Sequence, residues 1–107
     1  MKLTIEIIPE QTKFQELYQT LQALHPTIRK EKGCRDCHIY KEMEDGEVFF
    51  LSVSWEEQAN LVHYLRSNSG SALLGALDML SKTCRVKIDG EEPWEGTESL
   101  KRMRKER

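Results

Sequence analysis

Between Glu47 and Leu65 the hydrophobic period of the chain changes without a break, and that change constrains the fold more than any other stretch. Phe49, Leu51, Val53 and Trp55 alternate with Val48, Phe50, Ser52 and Ser54, the pattern of a strand with two distinct faces. Leu61, Tyr64 and Leu65 then fall on one helical stripe. Ser54 and Glu57 stand in capping-box register, so the strand is expected to run straight into a helix. Such a helix folds back over the apolar sheet face, with Trp55 at the mouth of the space between the layers. A small-molecule pocket is expected there.

The flanking sequence supplies the other layers. Leu3, Ile5 and Ile7 alternate with Lys2, Thr4 and Glu6 in a first strand ended by Pro9. Phe14, Leu17, Leu21, Leu24 and Ile28 then draw an apolar stripe along a first helix. Thr12 and Gln15 are in capping-box register, Pro26 is expected to kink or interrupt the helix, and Gly33 to supply a left-handed turn near its end. Cys34 to Met43 reads as a second strand, joined to the third by a tight Glu44-Asp45-Gly46 turn. After the polar break Ser67-Asn68-Ser69-Gly70, Leu73, Leu74, Leu77 and Leu80 mark another helix, and Thr83 to Ile88 a last strand. The order βαββαβ predicts an α+β, ferredoxin-like fold with a four-stranded antiparallel sheet and helices on one face. The opposite face, carrying Val48 and Phe50, needs a cover, and a homodimer joined sheet to sheet is expected.

With 107 residues the chain is long enough for one domain, here residues 1–90, followed by a charged C-terminal tail at 91–107. In that tail Glu91, Glu92, Glu95 and Glu98 precede Lys101, Arg102, Arg104, Lys105 and Arg107, and a mobile, solvated extension is expected; an anionic partner or an RNA contact is the alternative. Trp94 is expected to staple it to its own subunit or to the partner. A net charge of -2 gives no electrostatic reason for nucleic-acid binding, and no apolar run is long enough for a membrane helix. The N-terminus shows no export signal, so a cytoplasmic location and reduced cysteines are expected.

Gly33-Cys34 before the second strand, Tyr40-Lys41-Glu42 to Glu47 across the hairpin, Trp55-Glu56 at the end of the third strand, and Leu61-Val62-His63-Tyr64-Leu65-Arg66-Ser67 leading to Ala72-Leu73-Leu74 together resemble the antibiotic biosynthesis monooxygenase family. That family belongs to the dimeric α+β barrel group, and the resemblance covers about residues 1–90. It implies a homodimer whose sheets form a barrel, with a separate pocket in each subunit. It also implies oxygenation of phenols or quinols without metal or flavin, or, in one branch, haem degradation. Two departures stand out. The histidine that many members carry just before the Leu-Arg-Ser step is replaced by Tyr64, with His63 one residue earlier, a turn of about 100° on a helix. The first strand has Ile5, Glu6, Ile7 and Ile8 where the haem-degrading branch has an asparagine, so haem degradation is not expected.

Oxygenation without a cofactor requires an electron-rich aromatic ring to be ionised in a dry pocket beside a base or hydrogen-bonding group. Trp55 is the candidate for stacking on a planar substrate, against the plainer reading of it as core, with Phe49, Phe50, Leu61 and Leu65 as the other substrate-binding candidates. Tyr64 is the candidate to hydrogen-bond the ring oxygen; His63 and His38 are candidate bases, each weighed against a structural role. His25, beside Pro26, reads as a surface residue. No cofactor and no metal is expected; the partners expected are a second copy of the chain, a small aromatic molecule and molecular oxygen. Cys34-Arg35-Asp36-Cys37-His38 matches the C-x-x-C-H pattern of c-type haem attachment, but it opens a strand, where Cys37 and His38 point to opposite faces. A redox pair would want a helix N-terminus, and a zinc site with Cys84 would have to bridge opposite sheet edges.

Overall fold

The computed structural model describes residues 1–44 and 46–105, so the expected turn at Asp45 lies outside the described residues. The elements run β1 (Lys2–Pro9), α1 (Phe14–Arg29), β2 (Cys34–Lys41), β3 (Phe49–Trp55), α2 (Gln58–Arg66), α3 (Asn68–Leu80), β4 (Ser81–Ile88), β5 (Glu91–Glu95) and α4 (Glu98–Lys105). The α+β, ferredoxin-like plan is present, its second helical segment divided into α2 and α3. The antiparallel sheet has the order β2-β3-β1-β4-β5, so it has five strands and not the four expected. The reason is local: Asp89 and Gly90 adopt positive φ of 53° and 71°, the backbone of a two-residue hairpin turn. That turn sends the chain back along β4 with Ile88 opposite Glu91. β4 is therefore not an edge.

Register sorts the two faces. Ile5 lies between Leu51 and Val86, and Leu3 between Val53 and Ile88; these rows meet the helices and form the core with Ile7, Phe49 and Trp55. On the other face Thr4 lies between Ser52 and Lys87, and Glu6 between Phe50 and Arg85. Val48, expected here, precedes β3 and is already buried within the single chain, so only Phe50 of that pair stands on this face, which is otherwise polar: Arg85 Nη2 holds Glu6 Oε1 at 2.7 Å.

The helices depart from expectation mainly at their ends. Thr12 takes φ 76° and does not cap α1; Lys13 occupies that position and its Nζ reaches Glu16 at 3.2 Å. The helix runs on through Pro26 to Arg29, with the proline on its exposed side, where the carbonyl it leaves without a donor can meet water. His25 is not a free surface residue: Nε2 donates to the Cys37 carbonyl at 2.7 Å and ties α1 to β2. Ser54 remains in β3, while Asn60 Oδ1 accepts the Glu57 N–H at 3.0 Å to start α2. Ser67 joins α2 to α3 by donating to the Tyr64 carbonyl at 2.6 Å and accepting the Gly70 N–H at 3.1 Å. A Cβ at Gly70 would meet the Tyr64 carbonyl oxygen, so only glycine permits so close a junction.

The mobile tail expected after residue 90 is instead β5 and α4. α4 packs on α2, with Leu100 wholly enclosed and Ser99 buried. Trp94 lies on its own subunit's β4, with Lys87 Nζ and Arg85 Cζ 4.4 and 4.7 Å from the ring centre. Among the described residues no helix is long and apolar enough to cross a membrane.

Candidate functional site

The end of β3 is fixed from both sides. Trp55 N donates to the Met1 carbonyl at 2.8 Å, Trp55 pairs with Cys34 across the sheet, and Glu56 N donates to the Gly33 carbonyl at 2.7 Å. Gly33 takes φ 84°, and a Cβ there would collide with Asn60, so this left-handed turn packs directly on the start of α2. Gly33-Cys34 and Trp55-Glu56, far apart in the chain, are thereby neighbours.

Inside this frame the Trp55 ring lies against Tyr64 with centroids 5.6 Å apart and planes inclined by 32°. Both are enclosed, at 1% and 2% exposure, with Leu61 and Leu65 from the same face of α2 fully buried beside them. Tyr64 OH pairs with Ser69 Oγ at 3.0 Å, in the first turn of α3. Burial pushes the phenol up to about 12, partly offset by the Ser69 hydrogen bond, so it is neutral across the physiological range. Trp55 Nε1 is buried and has no hydrogen-bond partner among the described residues. Its position makes it a donor awaiting an acceptor, since leaving such a group unpaired costs about 1–3 kcal/mol.

The other candidates are dispersed. Phe49 is buried at the opposite end of β3, about 20 Å away at ordinary strand rise. There it stacks on Phe14 at 5.1 Å and meets Tyr18 at 6.1 Å, beside a cavity of about 190 Å³ that Leu21, Ile39 and Tyr40 help to line. Phe50 and His38 sit on the face away from the helices, where the register places them with Glu6 and Ser52. His38 is exposed, 4.0 Å from Asp36 Oδ1. His63 is exposed on α2. The structure thus brings together Trp55, Tyr64, Leu61 and Leu65, and separates them from Phe49, Phe50, His38 and His63.

Sequence reasoning missed Ser69, because its contact with Tyr64 crosses a helix junction and follows no periodicity. It also missed the rings of Phe14 and Tyr18 around Phe49, although Phe14 stood on the recognised stripe of α1. The cysteines are free, with Cys37 buried and its thiol pushed up to about 12 by burial. Among the described residues no three His, Cys, Asp or Glu side chains are placed to hold a metal ion.

None of the curated proteins compared with the chain matches it. Solved structures do. A conserved Methanosarcina mazei protein has a TM-score of 0.77 at 21% identity, covering 85% of this chain and 91% of its own. A Pseudomonas aeruginosa protein gives 0.75 at 19%, covering 80% and 87%. A structure described as an antibiotic biosynthesis monooxygenase gives 0.76 at 14%, covering 86% and 98%. At these identities the likeness establishes the fold. The sequence itself matches the antibiotic biosynthesis monooxygenase family over residues 2–72, a span that contains Gly33-Cys34, Trp55-Glu56, Tyr64 and Ser69, and the chain therefore belongs to that family.

Proposed function

We propose that the protein is a homodimeric monooxygenase that acts on a small phenolic or quinol-type aromatic with molecular oxygen alone. The observation that carries this reading is the unpaired N–H of Trp55, whose indole is held in an apolar enclosure against the ring of a neutral Tyr64. Two such donors suit a ring oxygen that becomes anionic, and fixed donors stabilise developing charge best where water is excluded. The ionised ring is the reductant. One oxygen atom bonds to ring carbon and the other leaves as water, the electrons for that reduction coming from the substrate, which ends as a quinone. Trp55, Tyr64, Leu61 and Leu65 fill the space between sheet and helix where a pocket is expected from the sequence, so this reading requires α2 to move off the sheet to admit a substrate.

A noncatalytic binding role is the second reading. It is favoured by one observation: His63 is exposed, His38 lies on the far sheet face and His25 is engaged by the Cys37 carbonyl, so neither candidate base stands beside Trp55. Oxygen uptake with a panel of hydroquinones and naphthols separates the two. Uptake is expected in the wild type, with a fall of about a hundredfold in Trp55→Phe, which keeps a ring and removes the N–H, and a smaller fall in Tyr64→Phe. Binding with no uptake from any substrate would leave the noncatalytic reading; unchanged uptake in both variants would remove these residues from the site.

A further inference from the structure

We propose that the cleft between α3 and α4 binds a small phosphate-bearing ligand. It lies on the outside of the helical layer, away from the Trp55–Tyr64 pair, and one wall is α4, which falls outside the residues that match the family. Its volume is about 640 Å³, within the usual span of small-ligand pockets.

Charge decides the class of ligand. Four cationic side chains and one carboxylate line the cleft, on a chain whose net charge is -2. The carboxylate, Asp78, is engaged with Lys101 Nζ at 2.8 Å. Arg66, Arg104 and Lys105 have no ion-pair partner among the described residues. Three cations without an ion-pair partner among the described residues therefore line one cleft from two helices, an arrangement whose mutual repulsion an anion would relieve.

Geometry narrows the class further. Arg66 Nε donates to the Arg104 carbonyl at 2.8 Å, in the last turn of α4, where carbonyls lack intrahelical donors. That bond fixes the plane of the guanidinium and leaves its terminal nitrogens for a ligand with paired oxygens, as phosphate has. Ser71 adds a hydroxyl to the wall. Leu74 and Gly75 form the floor, and a Cβ on Gly75 would meet nothing within 4 Å, so room remains beside the charged rim for the uncharged part of a ligand. A single cleft lined by four cationic side chains together with Leu74 and Gly75 fits a compact phosphate ester or diphosphate better than an extended nucleic-acid backbone, which is followed by cations spread along a groove.

Isothermal titration calorimetry on the full chain with inorganic pyrophosphate at low ionic strength tests this. The wild type is expected to bind with submillimolar affinity. Arg104→Gln should lower affinity about tenfold by removing a side-chain cation while keeping the carbonyl that Arg66 holds. Gly75→Leu should fill the floor and abolish binding while melting no lower than the wild type. Lys30→Gln, which removes an exposed charge outside the cleft, should bind as the wild type does. No heat of binding in the wild type, equal losses in Arg104→Gln and Lys30→Gln, or full affinity in Gly75→Leu would each overturn the proposal. So would binding of an oligouridylate by a protein that ignores pyrophosphate.

Discussion

Tyr64 and the thiols of Cys37 and Cys84 are each pushed up to about 12, in every case chiefly because enclosure disfavours the anion. The unfolded chain gives up these protons at the groups' ordinary values and the folded chain holds them longer. Their contribution to stability is thus complete below the ordinary thiol value and is lost as pH rises towards 12. Urea unfolding midpoints should fall between about pH 8 and about pH 11, and less steeply in a Cys37→Ala, Cys84→Ala variant. Equal slopes would show that the thiols do not titrate with folding. At this scale the sequence was informative where residue type and helical spacing acted together: Trp55 and Tyr64 were paired because a strand end and a helical stripe place them so. The histidines were not legible. Whether His63 faces inward depends on the start of α2, which Asn60 and Glu57 set and Ser54 does not.

At the scale of elements the junction of α2 and α3 is the most demanding local structure in the chain. Gly70 and Gly75 lie in the same helix and predict opposite outcomes. Gly70→Ala should destabilise by about 1–3 kcal/mol, because the new methyl group meets the Tyr64 carbonyl. Gly75→Ala should stabilise by roughly 0.5–1 kcal/mol, since open space surrounds it and alanine restricts the unfolded chain. Chemical denaturation of both variants checks the pair, and a shift in the same direction would contradict the junction. Core strands and stripes were readable because burial repeats along them with a fixed period. Helix ends were misread at Thr12 and Ser54 because several polar residues there satisfy the same spacing rule, and the backbone selects among them.

For the whole molecule, the outer sheet face carries the case for association. Phe50 sits there with Ser52, Thr4 and an exposed Tyr40 across the ladder. Light scattering is expected to give twice the 12.5 kDa chain mass, and Phe50→Asp to shift the species towards a single chain; a wild-type monomer at micromolar concentration would refute the pairing of sheets. The acidic residues of β5 mask it in the sequence, yet Asp89-Gly90 is a strong hairpin signal and Leu100 and Met103 share the spacing of a helical stripe. The cation-flanked Trp94 has a practical consequence. The protein holds two indoles in contrasting media, one sealed in the interior and one half wetted on the surface, so their emission should differ in colour. One fluorescence titration can then tell whether the C-terminal hairpin and helix come loose before the core or together with it.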